Sequence, residues 1–140
     1  MNPAFTVLRI DHVVLRVRDL QNSVRFYTTL GCAVERRRPE LGLIHLRAGS
    51  SMIDLVSLEG RLGARGGSAP QAEGRNVDHL CLRIEPFDEQ AISDHLARSG
   101  IEPMGHAAVN FGADGDGPAL YIRDPDGNLV ELKGPGPASG

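Results

Sequence analysis

The chain carries one short pattern twice: IDHVVLRV at residues 10–17 returns as VDHLCLRI at residues 77–84. Each copy alternates in the manner of a β-strand, and each has a histidine at its third position. Further along, each copy has a carboxylate inside an apolar strand, Asp54 in MIDLV and Glu131 in LVELK. The repetition predicts two equivalent modules within one chain.

Two histidines and two carboxylates at equivalent positions indicate a metal site. The strand alternation predicts that His12 and Asp54 lie on the face opposite the apolar side chains of the first module. His79 and Glu131 occupy the same positions in the second module. Two such curved sheets placed side by side would form a concave pocket, which is a usual place for a ligand.

Composition narrows the class of protein. The 140 residues fit one compact domain, and a hydrophobic share of 41% supports an ordinary core. A net charge of −3 without a long basic run argues against nucleic acid as a partner. No apolar run approaches the roughly 18 residues that span a membrane, and no signal peptide or disulfide pattern is recognisable. We therefore predict a cytoplasmic protein with no membrane partner.

Each module is predicted to follow the order βαβββ within a single domain. The first covers about residues 7–58 and the second about residues 77–133. Residues 59–76, rich in Gly, Ser, Ala and Pro, are predicted as the linker between them. The tail 134–140 is predicted to be disordered.

Turn and capping residues delimit the predicted elements. Asp19 and Asp88 are expected to cap the two helices, which Gly31 and Gly100 end. The glycine-rich residues 112–118 are predicted as a flexible connection. The predicted strands cover residues 7–17, 32–38, 43–48 and 52–58 in the first module, and 77–84, 101–107, 119–123 and 129–133 in the second.

Several motifs together resemble the vicinal oxygen chelate superfamily. They are the repeated Asp-His strand openings, Phe26-Tyr27 and Leu30-Gly31 at the first helix end, and DPDGNLVEL at residues 124–132. This superfamily includes glyoxalase I, bleomycin-resistance proteins, fosfomycin-resistance proteins, methylmalonyl-CoA epimerase and extradiol dioxygenases. The resemblance implies an α+β fold in which two tandem βαβββ modules form curved mixed sheets around a concave metal cup.

The resemblance also implies the site residues. His12, Asp54, His79 and Glu131 would hold one divalent ion per site, which is Zn, Ni, Mn or Fe. Asp54 departs from the glutamate or glutamine of four-ligand members, because its side chain is one methylene shorter, and its reach toward the ion is shorter by about 1.5 Å. Either Asp54 still binds the ion and acts as a base, or the other three form a two-histidine, one-carboxylate set. Glu131 is also a catalytic candidate, and His45 is a further candidate base.

These residues predict a glyoxalase I-like lyase or isomerase that acts on a small oxygen-chelating substrate, anionic or thiol-conjugated. One alternative is an extradiol-type dioxygenase or fosfomycin-type thiol transferase that uses the His-His-Glu set. Another is a non-catalytic binding protein of the bleomycin-resistance kind. The resemblance further implies a homodimer, and it leaves open whether the cup forms within one chain or across two.

Overall fold

The computed structural model describes residues 3–137. Contacts divide the chain into two compact units, one ending at Ala69 and one beginning at Pro70. Each unit holds one α-helix and a four-stranded mixed sheet in the order βαβββ. The predicted α+β fold of two tandem modules is therefore confirmed.

In unit 1 the sheet order is β1-β4-β3-β2, with β1 parallel to β4 and the other pairs antiparallel. Asp19 caps α1 as predicted, because its side chain accepts a hydrogen bond from the backbone N–H of Asn22. Gly31 follows the helix with a φ of +101°, a conformation that favours glycine. The elements are β1 (His12–Val17), α1 (Leu20–Thr29), β2 (Ala33–Arg38), β3 (Leu43–Ala48) and β4 (Ser51–Ser57).

Unit 2 repeats this topology with the sheet order β5-β8-β7-β6. Asp88 caps α2 by accepting from the backbone N–H of Ala91, also as predicted. The elements are β5 (His79–Arg83), α2 (Glu89–Ala97), β6 (Ala108–Gly112), β7 (Gly115–Arg123) and β8 (Leu129–Lys133).

Two predicted elements of the second module are wrong. Residues 101–107 form no strand, because Pro103 and the left-handed Gly105 interrupt an extended ladder. The predicted flexible connection over 112–118 is instead the β6–β7 hairpin, in which Gly112 pairs with Gly115 across a two-residue turn. The prediction from glycine composition alone was therefore wrong, because this segment belongs to a regular pair of strands.

The first strand is shorter than predicted. It begins at His12 rather than at residue 7, because β4 begins only at Ser51 and offers no earlier partner. The preceding apolar side chains are largely exposed, including Val7 at 79% and Leu8 at 87%.

The segment between the modules is attached to unit 1 by Arg16. Its guanidinium donates to the backbone carbonyl oxygens of Gly63, at 2.8 Å, and Ser68, at 3.2 Å.

At the other end of the chain, Gly134 donates its N–H to the carbonyl of Pro118 at 2.8 Å. Residues 138–140 of the predicted disordered tail lie outside the described residues.

Each unit has its own apolar core. Full burial of such a side chain contributes roughly 1.5–3 kcal/mol. No helix within residues 3–137 is long and apolar enough to cross a membrane. The residues that are at most 1% exposed include Val17, Tyr27, Leu46 and Leu55 in unit 1, and Leu96, Leu120, Ile122 and Val130 in unit 2.

Candidate functional site

Glu131 is the centre of a hydrogen-bonded cluster in unit 2. Because β8 lies between β5 and β7, Cys81 and Tyr121 are the cross-strand neighbours of Glu131. The Tyr121 hydroxyl donates to Oε1 at 3.1 Å, and the Asn110 amide donates to Oε2 at 3.2 Å. Glu131 is only 5% exposed, and these two hydrogen bonds fix the orientation of its buried carboxylate.

His79 belongs to the same cluster. Its Nε2 lies 3.1 Å from Oε1 of Glu131, and its Nδ1 lies 2.7 Å from Oδ2 of Asp78. The imidazole also packs edge-to-face against the Tyr121 ring, with centroids 5.8 Å apart. The predicted histidine and the predicted acid of the second module are therefore in direct contact.

The electrostatics of this cluster keep two of its members neutral. Burial, reinforced by the Glu131 carboxylate, raises the pKa of the Cys81 thiol to about 11. Burial and the hydrogen bond to Glu131 also raise the pKa of Tyr121. At neutral pH Tyr121 keeps its proton, which is consistent with its role as the donor to Glu131.

In unit 1 the buried acid is paired with His45. The two residues are direct partners across β3 and β4, and His45 Nδ1 lies 2.8 Å from Asp54 Oδ1. Asp54 is 7% exposed and the His45 side chain 21% exposed. The structure thus joins two of the predicted catalytic candidates into a His–Asp dyad.

His12 lies on the same face as this dyad, on the neighbouring strand. In the parallel β1–β4 pair Val14 is the partner of Asp54, so His12 is displaced by two residues along β1. Asp11 Oδ1 is 2.8 Å from His12 Nδ1. This hydrogen bond, together with the charge of Asp54, raises the pKa of His12.

The donor chemistry of both units suits a divalent ion, because imidazole nitrogen and carboxylate oxygen are its usual protein ligands. Each unit supplies one histidine and one carboxylate on one face of its sheet. Within residues 3–137 no three His, Cys, Asp or Glu side chains form a group that could hold a metal ion. The four-ligand assignment of His12, Asp54, His79 and Glu131 therefore stays a prediction.

Four contributing residues lay outside the predicted site. Asp11 and Asp78 precede the two histidines, and their recurrence in the repeated pattern is a signal that could have identified them. Tyr121 was recognisable only by its alternation with neighbouring residues. Asn110 had no signal, because its contact depends on the β6–β7 pairing, which was misplaced.

Two arginines on the same sheet faces are already engaged within the protein. Arg16 bonds to the backbone of the segment between the modules. Arg83 bonds to Asp114 at 3.0 Å and to Glu85 at 2.7 Å. Neither guanidinium is therefore held ready for an anionic substrate.

Comparison with known proteins gives consistent matches over nearly the whole chain. The family model described as Glyoxalase/Bleomycin resistance protein/Dioxygenase superfamily matches residues 9–132. Virulence protein STM3117 of Salmonella typhimurium is 31% identical over 126 residues, which cover 89% of this chain and 82% of that protein. Its crystal structure gives a TM-score of 0.73 at 27% identity and covers 94% of this chain and 100% of the other.

Further relatives bear different functional names. Glyoxalase domain-containing protein RDO1 of Mycosarcoma maydis is 32% identical over 127 residues, covering 91% of this chain and 68% of that protein. Human mitochondrial methylmalonyl-CoA epimerase is 26% identical, with 89% and 73% covered. Metapyrocatechase 2 of Cupriavidus necator is 29% identical, with 94% of this chain but 35% of that protein covered. The similarity thus extends to relatives named for different reactions.

Proposed function

The chain belongs to the glyoxalase/bleomycin resistance protein/dioxygenase superfamily, and from that premise we propose that it is a divalent-metal-dependent enzyme. The proposed substrate is a small molecule with two neighbouring oxygen atoms, and the proposed reaction is glyoxalase-like lyase or isomerase chemistry. The contact between His79 and Glu131 is the observation that carries the proposal, and the equivalent residues of unit 1, His12 and Asp54, lie on one face of their sheet. When bound, a divalent ion acts as a Lewis acid that holds both oxygens and stabilises negative charge on them.

His12, His79 and Glu131 are the proposed ligands, with Asp54 as the fourth candidate. Asp11 and Asp78 contact the Nδ1 atoms of the two histidines, which leaves each Nε2 as the nitrogen that would bind the ion. Glu131 is oriented through both of its oxygens, as described above. These contacts reduce the conformational freedom that the ligands would otherwise lose on binding.

The His45–Asp54 dyad is the proposed general base. Asp54 holds Nδ1 of His45 at 2.8 Å, which leaves Nε2 to accept a proton from a carbon beside a substrate carbonyl. The carboxylate then stabilises the charged imidazole that results. Because the pair is largely buried, its orientation is maintained without substrate.

One observation favours a second candidate function, an extradiol-type dioxygenase or a fosfomycin-type thiol transferase. Oδ1 of Asp54 is already bonded to His45, and the aspartate side chain is short. Without Asp54 the remaining ligands form the two-histidine, one-carboxylate set that non-haem Fe(II) oxygenases use. Oxygen consumption in the presence of a catechol would support the dioxygenase.

Elemental analysis of protein purified without chelator or affinity tag tests the proposal. Wild type should contain one divalent ion per site, and the variants His12→Ala and Glu131→Ala should lose it. Asp54→Ala should retain the ion if Asp54 serves His45 and lose it if Asp54 is a ligand. Protein that takes up no Mn, Fe, Ni or Zn ion after reconstitution would contradict both enzyme functions and favour a non-catalytic binding protein.

Members of this superfamily often form dimers, and we propose a homodimer here, which sedimentation equilibrium would test. The cytoplasm is the proposed compartment, supported by the free state of Cys32 and Cys81.

A further inference from the structure

The chain contains a single lysine among its 15 basic residues, and that lysine is buried. Lys133 is 4% exposed, although lysine is among the residues that folding most rarely buries. Burying an ammonium group is costly unless an opposite charge compensates for it. A buried lysine therefore calls for a partner.

Lys133 has no such partner among residues 3–137. The structure records no hydrogen bond or ion pair for its side chain there, and Glu131 bonds to His79, Tyr121 and Asn110 instead. Every side-chain nitrogen or oxygen in that range that is inaccessible to solvent has a hydrogen-bond partner. Because the Nζ atom of Lys133 has no recorded partner, it is not one of these atoms and is accessible to solvent.

Glycines create the space around this ammonium group. A Cβ atom at Gly112 would lie 3.1 Å from Cε of Lys133, and one at Gly117 would lie 3.1 Å from Nζ. The cross-strand neighbour of Lys133 on β7 is the small residue Ala119. The β6–β7 hairpin is thus rich in glycine where the lysine side chain passes over it.

Lys133 also lies on the same sheet face as Glu131. The two residues are separated by two positions on β8, or about 7 Å along the strand. A small ligand that contacts the His79–Glu131 cluster can therefore reach the ammonium group with its other end.

The charge around Lys133 favours a single negative charge. Arg83, its neighbour on β5, is already bonded to Asp114 and Glu85. One lysine beside an anionic Glu131 suits a carboxylate better than a phosphate dianion, which usually needs several donors.

We propose that Lys133 is the anion-binding subsite of this protein and takes a carboxylate of the substrate. The proposal rests on the proposed function in that the substrate's oxygen-chelating end lies at the His79–Glu131 cluster. It names the substrate class: a small carboxylic acid whose carboxylate is separate from its two chelating oxygens.

The single lysine makes a site-specific test possible. Metal-free wild-type protein is treated with limiting acetic anhydride at constant ionic strength, and acetylation of Lys133 and of the N-terminal amine is followed by peptide mass spectrometry. The probes are malate and 2-hydroxybutyrate, which differ by a carboxylate in place of a methyl group. Saturating malate should slow acetylation of Lys133 about tenfold, since charge-assisted hydrogen bonds are strong. The N-terminal amine should not respond, nor should Lys133 respond to 2-hydroxybutyrate.

A second arm uses Mn(II)-loaded protein and calorimetry. Wild type should prefer malate to 2-hydroxybutyrate about tenfold, and Lys133→Gln should lose that preference while retaining Mn(II). Gly112→Ala should weaken the preference, because its Cβ would lie only 3.1 Å from Cε of Lys133 and would shift the lysine side chain slightly. Equal acetylation of Lys133 with both probes would overturn the subsite, whether or not metal binds. Selective protection in a protein that binds no metal would support the subsite and contradict the proposed function.

Discussion

Replacing Tyr121 with phenylalanine removes one hydroxyl group and keeps the ring that packs against His79. The lost hydroxyl donates to Glu131 at 3.1 Å and accepts from Asn110 at 2.9 Å. A hydrogen bond to a charged group contributes roughly 1.5–3 kcal/mol, and the partial exposure of Tyr121 favours the lower end. We therefore expect the free energy of unfolding to fall by about 1.5 kcal/mol.

Urea unfolding followed by circular dichroism measures this change. With a slope near 1.5 kcal/mol per molar urea, the midpoint should fall by about 1 M while the slope is unchanged. Asn110→Ala and the double variant complete a cycle, and the two changes should be non-additive because both residues bind Glu131 and each other. A midpoint equal to that of wild type, or changes that add within about 0.3 kcal/mol, would refute the proposed cluster.

Three further outcomes follow from individual contacts. Asp11→Asn should lower the pKa of His12 toward its ordinary value of 6.5 in an NMR titration. Because folding raises this pKa, the contact stabilises the folded state fully below pH 6.5, and its contribution is lost as the pH rises through the raised pKa. An unchanged titration would contradict this account. Because burial raises the pKa of Cys81 to about 11, iodoacetamide should alkylate it far more slowly in folded than in unfolded protein, and equal rates would be evidence against it. Arg16→Gln should release the segment it binds and increase tryptic cleavage after Arg65 several-fold, whereas an unchanged digestion pattern would show that Arg16 does not hold it.

Local sequence patterns predicted most of the fold because both modules contain the same short-range signals. Strand alternation in the duplicated segments and the capping residues Asp19 and Asp88 are signals that act over a few residues. The repeated Asp-His pair likewise pointed to both histidines. These features could be read without knowledge of any distant contact.

The parts that could not be predicted depend on distant contacts. Gly112 and Gly117 resembled a loop by composition, but they lie in strands because Gly112 pairs with Gly115 and Gly117 pairs with Asn110 across the β6–β7 hairpin. The pairing of His45 with Asp54 requires the β3–β4 register, which alternation alone does not specify.

The central claim is that this chain uses its duplicated histidines and carboxylates to hold a divalent ion. Equilibrium dialysis against Mn(II) tests it most directly, using wild type, His79→Ala and the matched control His106→Ala. His106 is an exposed histidine of the same unit and is paired with Glu89 at 2.9 Å. We predict that wild type and His106→Ala bind one ion per site, and that His79→Ala loses at least about 100-fold in affinity. Equal Mn(II) binding by His79→Ala and wild type would contradict the account.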